Sequence, residues 1–315
     1  MTSPIPPRPH HPGDGWVEGA NGARYWGLFG AAGLLAYDPD RGVLLQHRVE
    51  WSHFGGTWAL PGGALCDALE TPVDGAIREA QEEAGVPTGA ISPRAAHVFD
   101  VGVWRYTTVV ADVVDPFEPV ISDPESLELR WVPVDEVDQY PLHPGFALTW
   151  PEVRAALEVR PVVLVDAANV VGSTPDGWWK DRAGATERLL ARLAALSDVP
   201  ASDLDLGLDM WQPVFAAVVE GQARDADAGP LPLFRAEGSG DDEIVRRAEE
   251  MLADGARVFV VTSDRELRDR VEALGAHVRG SSWLRDRLPT AEAIAPALAA
   301  SSWMGVGLTG FFGKR

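Results

Sequence analysis

The chain has 315 residues, 46% of them apolar, which predicts about two ordinary globular domains and excludes global disorder. Its 47 acidic and 27 basic residues give a net charge of −20, and a surface this acidic repels phosphate backbones and anionic membranes over long range. With a single cysteine, Cys66, no intrachain disulfide can form. No signal-like apolar core or bilayer-length run is evident either, and the expectation is a cytoplasmic protein.

In chain order, residues 1–15 are proline-rich and read as a flexible lead. β-like runs follow at 28–37, 42–47 and 58–60, then a helical segment at 72–84, then strands at 97–103, 106–114 and 129–132. Strands with one embedded helix predict a mixed α/β first domain over 16–156. The stretch 140–151 carries three prolines and a glycine; it reads as the closing segment, with a short helix near 153–158 leading on. The rhythm then changes. Apolar runs without alternation at 162–165, 214–219 and 258–261 read as buried parallel strands. Helical patterns at 182–196, 242–253 and 265–274 alternate with them, which predicts a parallel-sheet domain over 157–300. Residues 301–315, glycine-rich and aromatic, form a tail of no evident role.

Residues 70–86 read ETPVDGAIREAQEEAGV. Thr71 is a good N-cap, Pro72 suits the first helical position, and Gly85 is placed to end the helix. Val73, Ala76, Ile77, Ala80 and Ala84 share one face. Glu79, Glu82 and Glu83 lie off that face at i, i+3 and i+4, where three carboxylates repel one another. A divalent cation relieves the repulsion, and hard oxygen donors suit magnesium or manganese. Just ahead, residues 58–63 read WALPGG, a strand entering a tight glycine turn. Seven residues separate Glu70 from Arg78, which directly precedes Glu79.

With these flanks the segment resembles the signature of the Nudix hydrolase family, G-x5-E-x7-R-E-U-x-E-E-x-G-U. The matching positions are Glu70, Arg78, Glu79, Glu82, Glu83, Gly85 and Val86. Two positions depart from it: Gly63 stands seven residues before Glu70 instead of six, and Ala80 replaces a larger aliphatic residue. The resemblance covers about 26–153. It implies a mixed-sheet α/β/α sandwich and metal-assisted attack of water on the diphosphate of a small-molecule nucleotide. It makes Glu79, Glu82 and Glu83 metal ligands, one of them or a later acid the base, and Glu70 with Arg78 a pair that holds the loop. Glu128 matches a position where the family often carries another acid and is the candidate fourth ligand. Gly62, Gly63 and Arg48 are expected at the substrate, and Trp51, His53 and Phe54 on the next loop are candidates to stack on a base.

In the second half, VVLVDAAN (162–169) puts Asp166 at the C-terminal end of a buried strand, with Asn169 close behind. VFVVTSD (258–264) puts Asp264 at the same end of another strand, and GSGDDE (238–243) places Asp241 and Asp242 at a helix start. Ligand sites in open α/β sheets gather at that edge, although each aspartate also suits a helix cap. The set resembles the NYN branch of the PIN-like nucleases over about 160–288. That implies a Rossmann-like parallel sheet in which Asp166, Asp241 or Asp242, and Asp264 hold magnesium for phosphodiester cleavage, while Asn169 orients the phosphate. Arg265, Arg268, Arg270, Arg279, Arg285 and Arg287 form the densest basic stretch, able to meet RNA or to pair with neighbouring acids.

The reading is therefore an α/β chain in which a Nudix diphosphatase is fused to a PIN-like module that cleaves RNA. Its alternatives are a nucleotide-sensing Nudix module that regulates the second domain, and a fusion that processes RNA 5′ ends.

Overall fold

The computed structural model describes residues 10–20, 22–175, 177–290 and 294; the tail 301–315 and the start of the lead lie outside them. The chain divides into two compact units. One comprises the chain through Glu158 together with Pro200–Trp211, the other Val159–Val199 and the chain from Gln212 on.

The first unit is built on a mixed sheet. Its strands include β1 (Ala31–Asp38), β2 (Gly42–Arg48) and β3 (Gly62–Ala64). Helix α1 (Pro72–Ala84) follows, then β4 (Ile91–Asp100), β5 (Arg105–Val113), β6 (Ser126–Val132) and helix α2 (Pro144–Ala156). β1 is buried along its whole length and pairs parallel with β5 and antiparallel with β3 and the start of β2. β4 pairs antiparallel with β5, and β6 with β2. Ala76, Ala80 and Ala84 of α1 are fully buried in a core shared with Ala32, Leu34, Leu44 and Val109. Three small side chains on one helical face let the helix backbone approach the sheet closely.

Three expectations are corrected here. β4 starts at Ile91, earlier than the pattern implied, because Pro93 and Arg94 break the alternation at a register irregularity. Arg94 turns inward, and its Nε donates to Asp112 at 2.8 Å while its Nη1 donates to the Ala156 carbonyl at 3.1 Å. The helix expected near 153–158 begins much earlier, inside the proline-bearing stretch 140–151: α2 starts at Pro144, capped by His143, and runs through Pro151. An interior proline ordinarily breaks a helix, but here Phe146, Trp150 and Val153 are all buried along it. Residues 10–15 are tied down, since Leu28 N–H donates to Gly13 O and Gly27 N–H to Gly15 O, both at 2.8 Å.

The second unit is a five-stranded parallel sheet. In chain order it has β7 (Pro161–Asp166), α3 (Ala167–Gly172), α4 (Arg182–Ala194), β8 (Val214–Val219) and β9 (Leu233–Arg235). Then come α5 (Gly240–Ala253), β10 (Arg257–Val261), α6 (Arg265–Ala273), β11 (His277–Arg279) and α7 (Ser281–Arg285). The strand order is β9-β8-β7-β10-β11. The chain builds one side from β7 outward and then returns to build the other, so β7 marks the point where the winding reverses. Crevices at such switch points lie outside the carboxyl ends of the strands, and Asp166 closes β7 there. Among the described residues no helix is long and apolar enough to cross a membrane.

Candidate active site

Helix α1 is specified at both ends. The Thr71 hydroxyl accepts from Asp74 N–H at 3.1 Å, satisfying one of the donors that the first turn leaves open. Gly85 takes φ 63°, a left-handed conformation that favours glycine, and Val86 N–H reaches back to Ala80 O at 3.3 Å.

Arg78 organises the carboxylates on this helix. Its Nε donates to Glu70 Oε1 at 2.8 Å and its Nη2 to Glu70 Oε2 at 3.1 Å and to Ala64 O at 3.0 Å. Its Nη1 donates to Glu79 Oε1 at 2.8 Å and more weakly to Glu82 Oε2 at 3.5 Å. Glu70 also accepts from Cys66 N–H at 2.6 Å. Burial raises the Glu70 pKa, but the Arg78 guanidinium and the Cys66 amide outweigh it and leave the carboxyl below its usual value. The loop from Gly63 to Glu70 is thus clamped to the helix in spite of its extra residue.

Glu79 and Glu83 are 2% and 1% exposed. Gly62 N–H donates to Glu83 Oε2 at 2.9 Å. Gly63 passes so near Glu79 that a Cβ there would lie 2.7 Å from its carboxyl group. Both glycines of the turn therefore meet the buried glutamates.

Sequence reasoning missed Asp123 and Glu125. Their carboxylate oxygens and one of Glu83 lie within 4.8 Å of one another. The loop before β6 is strapped to the last turn of α1: Val120 N–H donates to Ala84 O at 2.9 Å and Ser122 Oγ to Glu82 O at 2.8 Å. These bonds satisfy carbonyls that a helix end leaves open and place the following residues above Glu83. Asp123 Oδ1 then accepts from Glu125 N–H at 2.6 Å. Glu128, the candidate from sequence, sits on β6 opposite His47 and is paired with Arg130 through Nε at 2.8 Å. It is not one of the three carboxylates grouped around Glu83. The only sequence signal for the two acids was their place just ahead of a strand, which Glu128 shares.

This donor set fits a divalent cation. Arg78 engages Glu70, Glu79 and Glu82, while Glu83, Asp123 and Glu125, largely buried, bring carboxylate oxygens within 4.8 Å of one another. Oxygen-only donors of this kind match hard ions. His47, next to last on β2, stacks on Trp58 with ring centroids 4.8 Å apart.

In the second unit Asp166 is buried. Its Oδ1 accepts from Asn169 N–H and its Oδ2 from Thr262 Oγ1, each at 3.0 Å. Burial pushes its carboxyl up to about 6, helped by the negative charges of Asp241 and Glu220. Asp241 is raised by burial and by Asp264 and Glu220. Asp166, Asp241 and Asp264 are therefore electrostatic neighbours, together with Glu220, which sequence reasoning missed. Glu220 follows β8 directly and accepts from Gly240 N–H at 2.7 Å. Asp264 caps α6 by accepting from Leu267 N–H at 2.9 Å. Asp242 is paired with Arg270 at 2.6 Å. Asn169 Oδ1 is used internally, accepting from Ser263 N–H at 2.9 Å and Ser281 Oγ at 2.6 Å. The basic stretch is partly engaged as well: Arg285 Nη1 donates to Ser173 O at 2.9 Å, and Arg279 lies over the Phe259 ring.

Comparison with known proteins bears on the first unit. The family model of the NUDIX domain matches residues 28–150. A Mycobacterium tuberculosis protein named "Putative 8-oxo-dGTP diphosphatase 3" is 49% identical over 164 residues, covering 49% of this chain and 75% of its own. A Bifidobacterium longum nucleoside triphosphate pyrophosphatase/Nudix hydrolase fusion protein is 43% identical over 157 residues, which span 47% of this chain and 32% of that one. The crystal structure of RenU, a Nudix hydrolase from M. smegmatis, is 51% identical with a TM-score of 0.42, over 46% of this chain and 94% of that chain. By its carboxylate-bearing helix and by its 49% identity to the M. tuberculosis protein, three quarters of which it covers, the chain belongs to the Nudix family.

Proposed function

We propose that the first unit, with its reactive groups within 16–156, is a divalent-cation-dependent hydrolase that cleaves the diphosphate linkage of a nucleotide. The observation that carries this reading is the convergence of Glu83, Asp123 and Glu125 beside the Gly62 amide. In this reading these three, with Glu79 and Glu82, hold magnesium or manganese. When bound, such an ion supplies positive charge to the diphosphate oxygens and acidifies water in contact with it. The chain itself orients and moves a proton. Arg78 fixes Glu79 and, through Glu70, the preceding loop. The Gly62 N–H holds Glu83 in place. Glu125, the least buried of the three, accepts the proton of the attacking water. The name of the M. tuberculosis relative supports an oxidised purine nucleoside triphosphate as substrate.

The test is a magnesium-dependent panel of 8-oxo-dGTP, dGTP, ATP, ADP-ribose, dinucleotide cofactors and capped RNA, with products identified by chromatography. Glu83→Gln lowers kcat on the order of 100-fold or more in a chain that remains folded by circular dichroism. A variant that keeps its turnover overturns the assignment.

A second reading concerns the other unit and is favoured by the meeting of Asp166, Glu220, Asp241 and Asp264 at the switch point of the parallel sheet. We propose a PIN-like domain of the NYN type over 157–300 that cleaves RNA with magnesium. Asp166→Asn then abolishes RNA cleavage and leaves nucleotide hydrolysis intact. Equal cleavage by both chains overturns it.

A further inference from the structure

Gln46 is out of place in the core of the first unit. It follows Leu44 by two residues on β2, so its side chain stands on the sheet face that packs against α1. Its neighbour across the ladder is Leu129, and it is 0% exposed. The carboxamide has one partner. Its Nε2 donates to Ser126 Oγ at 2.7 Å, while Oε1 is buried without a hydrogen bond among the described residues. Turned over, the carboxamide would accept from the Ser126 hydroxyl and leave its nitrogen unmet, so one end stays open either way. A buried polar pair that is only half satisfied is no more stable than apolar side chains of the same shape. Stability alone therefore does not account for Gln46.

Ser126 reaches Gln46 because β6 is irregular. His47 pairs with Glu128 and Arg48 with Ser126, which leaves Leu127 as an extra residue, 50% exposed. Without this bulge Leu127 would stand opposite Arg48, on the face that Gln46 shares. The bulge puts the buried Ser126 there instead. Bulges of this kind re-aim side chains next to reactive groups.

The residue ahead of Ser126 is Glu125, and Asp123 lies two residues further back. Glu125 is held through its backbone on both sides: its N–H donates to Asp123 Oδ1 at 2.6 Å, and its carbonyl accepts from Val49 N–H at 3.0 Å. The bond from Gln46 fixes the next residue from a fully buried strand.

We propose that Gln46 is a positioning residue of the hydrolytic site: by holding Ser126 it sets the backbone from which Asp123 and Glu125 reach Glu83. The proposal rests on the reading of the Glu83 site as a nucleotide hydrolase. Partners that orient the carboxylates of a cation site govern its affinity and activity nearly as strongly as the carboxylates themselves. A proton acceptor moved out of line lowers kcat without weakening the contacts to the rest of the substrate, so the loss falls on kcat and not on KM.

The experiment uses the full chain with magnesium and the nucleotide that the wild type turns over fastest. In Gln46→Leu/Ser126→Ala both polar ends are gone, so this variant is expected to be at least as stable as the wild type in urea unfolding with a chelator present. Its kcat falls about 10- to 100-fold while KM stays within about 2-fold. Each single substitution costs nearly as much kcat as the pair, because all three break one and the same bond. Ser126→Thr, which keeps the hydroxyl, retains most of the wild-type kcat. Stability and kcat falling together in the double variant mean a merely structural contact and overturn the proposal. An unchanged kcat, a loss confined to KM, or single losses that multiply in the double variant overturn it too. If Gln46→Leu fails to fold, the contrast between Ser126→Ala and Ser126→Thr decides alone. If the wild type hydrolyses no nucleotide, the hydrolase reading falls, and manganese binding by titration calorimetry reads the positioning by itself. Binding about 10-fold weaker in the double variant keeps the role of Gln46 at a cation site. Equal binding, or none in the wild type, removes it as well.

Discussion

Arg78 holds Glu70, Glu79 and, weakly, Glu82, together with the carbonyl of Ala64. Its partners Glu70 and Glu79 are mostly shielded from water, so removing the guanidinium takes away the positive charge that faces both, and leaves Glu70 the Cys66 amide. Arg78→Ala is expected to cost about 2–4 kcal/mol, somewhat less than a fully buried pair, read from urea unfolding, and to lower nucleotide hydrolysis because the Gly63–Glu70 loop loses its anchor. Arg78→Lys restores one charge contact but not the fork and falls between. The spacing of Glu70 and Arg78 was legible because both partners lie on one short segment. The meeting of Glu83 with Asp123 and Glu125 was not. Several acids crowd the stretch 123–128, and spacing cannot say which turns inward. That choice is made by the Val120 and Ser122 bonds to the end of α1, a contact between segments far apart in sequence.

Among the elements, those whose ends carry their own chemistry were readable. Thr71, Pro72 and Gly85 fix α1 at the bounds the pattern gave. Elements held by long-range contact were not: Arg94 turned inward interrupts the pattern of β4, and buried Trp150 carries α2 past Pro151. The parallel strand β7 was readable from its apolar run, and its last residue has a thermodynamic consequence. Asp166 is raised from 3.8 to about 6 by burial, with Asp241 and Glu220 adding to it. Between these two values the unfolded chain has released this proton while the folded chain keeps it. The unfolded state thus binds fewer protons, and stability falls as pH rises through this window and levels off above it. At about 1.4 kcal/mol per unit, the effect reaches up to about 3 kcal/mol. Asparagine can still cap α3. Asp166→Asn is therefore expected to match the wild type near pH 4 and to exceed its stability near pH 8, in urea unfolding with a chelator present. A constant difference across that range contradicts the electrostatic origin.

At the scale of the whole molecule, the first unit is not a contiguous stretch of chain. Pro200–Trp211 belongs to it, although Val159–Val199 belongs to the second unit. The segment extends the edge of the mixed sheet: Met210 pairs with Ala96 and Trp211 with Ala95 on β4. Asp209 accepts from Val98 N–H at 2.6 Å and lies 3.1 Å from His97 Nδ1. Trp211 is 1% exposed, and its indole N–H donates to Gly207 O at 2.8 Å. Nothing local announces this, since the segment is short and lies far beyond the end of the residues it completes. Emptying a buried tryptophan site costs about 3–5 kcal/mol. Trp211→Ala in the full chain is accordingly expected to bring thermal inactivation of nucleotide hydrolysis to a lower temperature. The same substitution leaves kcat at low temperature close to that of the wild type, because Trp211 touches none of the carboxylates. If inactivation is unmoved, the strand at Met210–Trp211 contributes nothing to the stability of the hydrolytic unit. A chain ending at Glu158 would then be as stable as the whole, whereas the pairing with β4 predicts that it is weaker.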